Sequence, residues 1–245
     1  MHTSGNTILI TGGATGIGLE LARALALRGN EVIICGRRAA KLDEARRAIS
    51  ALKTRVADVA SAESRAELVR WLAAEFPRLN VLVNNAGVQH RLDLRDVANL
   101  GLAEEEVTTN LLAPIHLTAL LLPLLERQPA AAVVNVSSGL AFAPLARMPV
   151  YCATKAALHS LTLSLRHQLR ETSVRVFEVI PPLVKSDLGA WHRPPQLNDI
   201  AMPADVAAAD IVRGLEQDDY EIAIGDSANL RAKREELFAV MNAHG

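Results

Sequence analysis

A parallel α/β sheet wrapped on both faces by helices is the architecture this sequence predicts, and three observations predict it. Short β-branched runs alternate with helical patterns along all 245 residues. Those runs are apolar throughout instead of alternating, which is how strands buried on both faces read. Half of the residues are apolar but only 3% are aromatic, so Ala, Leu, Val and Ile must fill the interior, as where helices pack closely on a sheet.

The elements follow in order. "TILIT" (7–11) is a strand, and "GIGLELARALALRG" (16–29) a helix stopped by Gly29. "EVIIC" (31–35) is the second strand, followed by a helix over 39–52 and a short strand "TRVAD" over 54–58. A helix over 61–76 ends at Pro77, and "NVLVN" (80–84) is the fourth strand. A long helix is predicted over 104–126, a fifth strand over 131–137, and a helix over 149–172. "VRVFEVI" (174–180) is the sixth strand, "YEIAI" (220–224) the seventh, with helices from Asp205 and over 227–242. The Pro-rich stretch 181–203 reads as a loop inserted in one domain spanning 1–245, and loops of that length are commonly lids or binding loops.

Composition excludes several classes. A net charge of −1 argues against a dominant nucleic-acid or acidic-surface partner. Cys35 and Cys152 form no spaced cluster, so neither a disulfide framework nor a metal site is expected; Cys152, beside Tyr151, is the one thiol that could be reactive. The N-terminal residues show no basic and apolar leader pattern, and the apolar stretch 111–125 is too short to span a bilayer, so a cytoplasmic location is expected.

The first strand runs into "TGGATGIG" (11–18), and a helix begins inside it. Glycines at 12, 16 and 18 permit a tight turn and a close backbone approach, and the helix N-terminus offers unpaired N–H groups to a phosphate. The Gly-Lys-Ser/Thr of a nucleoside-triphosphate loop is absent. "NNAG" (84–87) ends the fourth strand, "TTNLLAP" carries Asn110, and "NVSS" (135–138) ends the fifth strand. "YCATK" (151–155) places Tyr151 and Lys155 four apart, on one face of a helix. These five pieces, in this order, resemble the short-chain dehydrogenase/reductase family along essentially the whole chain. "VSSGLAF" and "PPLVKSDL" further resemble its bacterial DltE-like oxidoreductase branch, whose members largely lack an assigned substrate.

The resemblance implies a Rossmann-type fold, a nicotinamide cofactor and hydride transfer to or from a carbon bearing oxygen. It implies Asn110, Ser138, Tyr151 and Lys155 as the catalytic set, with Ser138 preferred to Ser137 by its thirteen-position separation from Tyr151. Tyr151 would be the general acid or base, with its pKa lowered from about 10 by the Lys155 charge and an oxidised nicotinamide. Ser138 would orient the substrate oxygen, Lys155 would bind the nicotinamide ribose, and Asn110 would help hold a water in a proton relay. Cofactor residues implied are Gly12, Thr15, Gly16, Ile17, Gly18, Arg37, Arg38, Asp58, Val59, Asn85, Ala86, Gly87, Tyr151, Lys155, Pro181 and Val184. Gly36 follows the second strand at the position where NAD-selecting enzymes place an acid, and Arg37 and Arg38 suit a 2′-phosphate, so NADP(H) is expected over NAD(H). Asp58 either contacts the adenine edge or caps its own loop.

Pro182 replaces the family's glycine after the sixth strand, and Ser186 stands where a threonine often meets the carboxamide. Substrate contacts are expected from Ser138, Leu140, Phe142, Tyr151, Leu183 and Trp191, which suggest an apolar carbonyl compound or secondary alcohol. His90, Arg91, Arg147 and Lys185 could instead meet an anionic group, and His116 reads as structural. A nucleotide-sensing regulator on the same fold is the alternative function. Family members are commonly homodimers or homotetramers, and Leu117, Leu121 and Leu161 fit a subunit contact or packing on the sheet.

Overall fold

The computed structural model describes residues 1–189 and 199–243. Its strands are β1 (Thr7–Thr11), β2 (Glu31–Gly36), β3 (Lys53–Val56), β4 (Leu79–Asn84), β5 (Ala131–Val136), β6 (Val174–Ile180) and β7 (Glu221–Ala223). The helices are α1 (Gly16–Ala26), α2 (Ala39–Ala48), α3 (Ala62–Glu75), α4 (Leu100–Val107), α5 (Ala113–Leu125), α6 (Pro149–Gln168), α7 (Ala204–Glu216), α8 (Ser227–Lys233) and α9 (Phe238–Met241).

All seven strands form one parallel sheet in the order β3-β2-β1-β4-β5-β6-β7. Neighbouring residues of β1 point to opposite faces, as the two-residue period of a strand requires. Ile8 and Ile10 join Leu21 and Leu25 of α1 and Ile211 and Leu215 of α7 on one face. Leu9 joins Leu68 and Leu72 of α3 and Leu117, Leu121 and Leu125 of α5 on the other. Both faces are therefore dry, which explains the unbroken apolar runs. Strand order reverses between β1 and β4, and the crevice outside their carboxyl ends is where such sheets bind ligands.

The helices predicted to reach 52 and 172 stop at Ala48 and Gln168, and three further elements differ. β3 stops at Val56, because Asp58 Oδ1 accepts the Ala60 N–H at 2.9 Å and turns the chain. The segment 227–242 is a helix only in pieces: Arg234 has φ +51°, and a 3₁₀ turn (Arg234–Leu237) separates α8 from α9. The long helix begins at Leu100 and contains a π turn (Thr108–Leu112) between α4 and α5. Pro114, four residues after Asn110, has no N–H to give the Asn110 carbonyl, so regular α-helical bonding fails there. The helical run Val97–Leu125 is long and apolar enough to cross a membrane by length and composition alone, a length the stretch 111–125 understates. Here α5 lays Leu117, Leu121 and Leu125 against the sheet, fully buried. Leu117 and Leu121 are thus core residues.

Both ends of the inserted loop are tied together. Lys185 N–H donates to Met202 O and Met202 N–H to Leu183 O, each at 2.9 Å, and Val184 pairs with Met202. Trp191 lies in 190–198, outside the described residues.

Candidate active site

The glycine loop closes on β4 because only bare backbone fits. A Cβ at Gly18 would lie 2.5 Å from Asn85 Nδ2 and 2.6 Å from Gly12 O, and Gly16 has φ +56° against Ser186. Gly13, which the motif reading passed over, packs against Ile34: a Cβ there would meet its Cγ2 at 2.6 Å. Thr11 fastens the two segments. Its hydroxyl accepts the N–H groups of Asn85 and Ala86, both at 3.0 Å, while Asn85 Nδ2 donates to Thr11 O at 2.8 Å. Thr15, the N-cap of α1, makes no side-chain cap bond, so the first-turn N–H groups beside the crevice have no partner from that side chain.

One crevice gathers most of the expected cofactor residues: Gly12, Thr15, Gly16, Ile17, Gly18, Arg37, Arg38, Asp58, Val59, Asn85, Ala86, Gly87, Tyr151, Lys155 and Pro181. Ser137, Ser186 and Asp187 line it too. Val184 does not line it; it is buried in the pairing with Met202. The carboxylate of Asp58 caps its own loop, accepting the Ala60 N–H, and the residue also lines the crevice. Arg37 and Arg38 are engaged already: Arg37 Nη1 with Glu105 at 3.1 Å, and Arg38 with Asp187 at 3.1 Å and Thr15 Oγ1 at 3.2 Å.

At the other end, α6 carries Tyr151, Lys155 and His159 on one face. The Ser138 hydroxyl lies near enough to the Tyr151 phenol to favour its ionised form, while its Oγ accepts the Leu140 N–H at 3.1 Å. Lys155 Nζ donates to Val136 O at 2.8 Å and lies 5.7 Å from the Tyr151 ring centre. Burial, opposed by nearby Ser138, pushes the phenol above its usual pKa, and nearby Cys152 and Glu106 push the same way. Burial lowers Lys155 to about 8. This corrects the expected acidification. In the cofactor-free protein Lys155 alone does not lower the phenol, because both groups lie in the same dry wall and desolvation disfavours both charged forms.

Asn110 stands behind Gly87, where a Cβ would come within 3.3 Å of its Oδ1. Its side chain clamps the 85–90 turn: Oδ1 accepts the Val88 N–H and Nδ2 donates to Val88 O, both at 2.8 Å, with Thr154 Oγ1 at 3.3 Å. Pro114 offers no N–H to the Asn110 carbonyl, and Asn110 itself is fully buried.

On the substrate side, Leu140 packs with Met148 and Tyr151, and Leu183 is exposed. Phe142 is 2% exposed, edge-on to His159 and beneath the Arg231 and Arg234 guanidiniums, so it supports the site from behind and presents no face to a substrate. Arg147 lines a separate groove with Arg91. His116 is structural, 2.8 Å from buried Arg65. Cys152 is buried and raised to about 11, an unreactive thiol, and Cys35 likewise at about 12. His159, Glu178 and Glu221 cluster closely enough to hold an ion. Ser137 and His159 already occupy Glu178, and Arg166 and Arg231 neutralise Glu221.

A phosphate-ready helix start and a Tyr–Lys wall in one crevice, with Ser138 beside the phenol, on this strand order, define a dinucleotide-type oxidoreductase site. The short chain dehydrogenase family profile matches residues 6–196, and the chain belongs to that family. It is 53% identical to the uncharacterized oxidoreductase DltE of Bacillus subtilis over 197 residues, 80% of this chain and 78% of that one. A short-chain dehydrogenase from Sphingobium yanoikuyae in complex with NADPH superposes with a TM-score of 0.81 at 26% identity, covering 93% of this chain and 91% of that chain. A Burkholderia phymatum family member in complex with NAD shares the fold, with a TM-score of 0.83 at 22% identity over 94% and 93% of the two chains.

Proposed function

We propose that this oxidoreductase uses NADP(H) to interconvert a carbonyl compound and a secondary alcohol, with Tyr151 as general acid and base. The single observation that carries this reading is that buried Tyr151 and Lys155 line the same crevice as the uncapped α1 start, with Ser138 beside the phenol. The glycine backbone and the α1 N–H groups fit a pyrophosphate, and Arg37 and Arg38 fit a 2′-phosphate, exchanging their carboxylate partners for it. Lys155, which lines the crevice, would bind the ribose hydroxyls.

The chemistry the cofactor supplies when bound is hydride exchange with a carbon bearing oxygen. The chain supplies the proton. In reduction Tyr151 gives its phenolic proton to the forming alkoxide, and in oxidation it takes one from the alcohol. Ser138 holds the substrate oxygen beside it. Lys155 favours the phenolate while protonated, the predominant state at pH 7 for a folded pKa of about 8 and one lost as pH rises past it. The Asn110 carbonyl would hold the water that returns protons from solvent. Retention of both tyrosine and lysine favours an enzyme over a sensor. Leu140 and Leu183 favour an apolar substrate.

The test is a panel of ketones and secondary alcohols followed by NADPH absorbance. Turnover of an apolar ketone with kcat/KM at least about 10-fold higher for NADPH than for NADH supports the reading. Equal use or NADH preference refutes the arginine argument, and cofactor binding without turnover on any of the panel favours the sensor.

A further inference from the structure

Glu106 is the most unusual charged group in the described residues. It sits on α4, is fully buried, and lies one helical turn before Asn110 on the same face. Its Oε1 accepts the His90 N–H at 2.5 Å, just beyond the point where Asn110 grips Val88. Its carboxyl also feels the backbone N–H of Tyr151 in the first turn of α6, yet Oε2 has no full hydrogen-bond partner among the described residues. A buried carboxylate oxygen without a partner is costly, and natural proteins keep such groups where they act.

We propose that Glu106 is a positioning residue of the site, a buried carboxyl that braces the Val88–His90 turn and the start of α6, and whose charge reaches the Tyr151 phenol and the nicotinamide beside it. The inference rests on the cofactor reading above. The groups facing this carboxyl are Glu105 on its own helix, His90 on the 85–90 turn, and Tyr151 and Cys152 on α6, with Lys155 a turn further on. Burial first and Glu105 second push Glu106 up to about 7, against the two backbone N–H groups. The group is therefore neutral below that pH and anionic above it. The anion raises Tyr151 and so keeps it protonated, the form that reduction requires. The same anion favours a positively charged oxidised nicotinamide over a neutral reduced one.

The experiment is equilibrium binding of NADP⁺ and NADPH at pH 6.0 and pH 7.5, using wild type, Glu106→Gln and Glu106→Asp. The ratio of the two dissociation constants cancels the 2′-phosphate, which both forms share. In the wild type the ratio should shift about 3-fold or more toward NADP⁺ as pH rises. The shift should be lost in Glu106→Gln and kept in Glu106→Asp, which retains the charge. Identical pH curves for wild type and Glu106→Gln overturn this inference alone. If Glu106→Gln does not fold, an Asp variant that folds but lacks the shift overturns it. Failure of the wild type to bind either form refutes the cofactor reading and this inference with it.

Discussion

The two ends of the crevice use charge in opposite ways. At the mouth, Arg37 and Arg38 have side chains 50% and 56% exposed and rest on carboxylates. At the floor, Tyr151 and Lys155 are 5% and 4% exposed, and burial moves both away from their ordinary pKa values. An exposed ion pair is worth about 0–1 kcal/mol, so the arginines are held loosely enough to exchange partners. A buried group keeps its perturbation whatever the salt. The mouth is thus suited to selecting a ligand, and the floor to moving a proton.

The largest effect expected is on the floor. Tyr151→Phe should lower kcat by about 10²–10⁴-fold, the range for a general acid–base, while steady binding of NADPH changes little. Lys155→Met should lose turnover and weaken cofactor binding, yet stabilise the cofactor-free protein. Lys155 is depressed from 10.5 to about 8 on folding, so the unfolded chain binds its proton more tightly. The penalty is full below pH 8 and fades as pH rises through 10.5, so wild-type stability rises across that window. Denaturant titrations should therefore show a gain of as much as roughly 3 kcal/mol for the variant near pH 7, shrinking toward pH 10.5.

At the mouth the effects are smaller. Arg37→Gln and Arg38→Gln should each reduce the NADPH-over-NADH affinity ratio by roughly 10-fold, and the loss should shrink in high salt. The smallest belongs to Asp187→Asn, which frees Arg38 from an exposed pair and should strengthen NADPH binding by less than about 3-fold. A mouth variant that cuts kcat as deeply as Tyr151→Phe would break the division between the two ends.

The floor was legible where local covalent spacing settles geometry. Tyr151 and Lys155 share a face because a helix repeats every 3.6 residues, and the glycines at 16 and 18 announce a backbone-only approach. Seven strands in parallel order followed from unbroken apolar runs for the same local reason. What tertiary packing decides was not legible. Glu106 reads as a surface residue in "AEEEV", and only the docking of α4 on the α6 start buries it. The upward shift of the Tyr151 phenol depends on that same dry wall. Phe142 looked like a pocket residue because it follows Ser138 closely, but the 3₁₀ turn at Gly139–Ala141 swings it behind the site. The π turn needed Pro114 to be set against Asn110, four residues apart, and that pair was available in the sequence.

One measurement tests the central claim most directly: a single turnover with NADPH deuterated at its transferable position, in the wild type and in Tyr151→Phe, with an accepted ketone. The wild type should yield an alcohol carrying deuterium on its carbinol carbon, and the variant should bind the cofactor equally well but form that alcohol at least about 100-fold more slowly. An alcohol without deuterium, or an unchanged rate in the variant, would contradict the account.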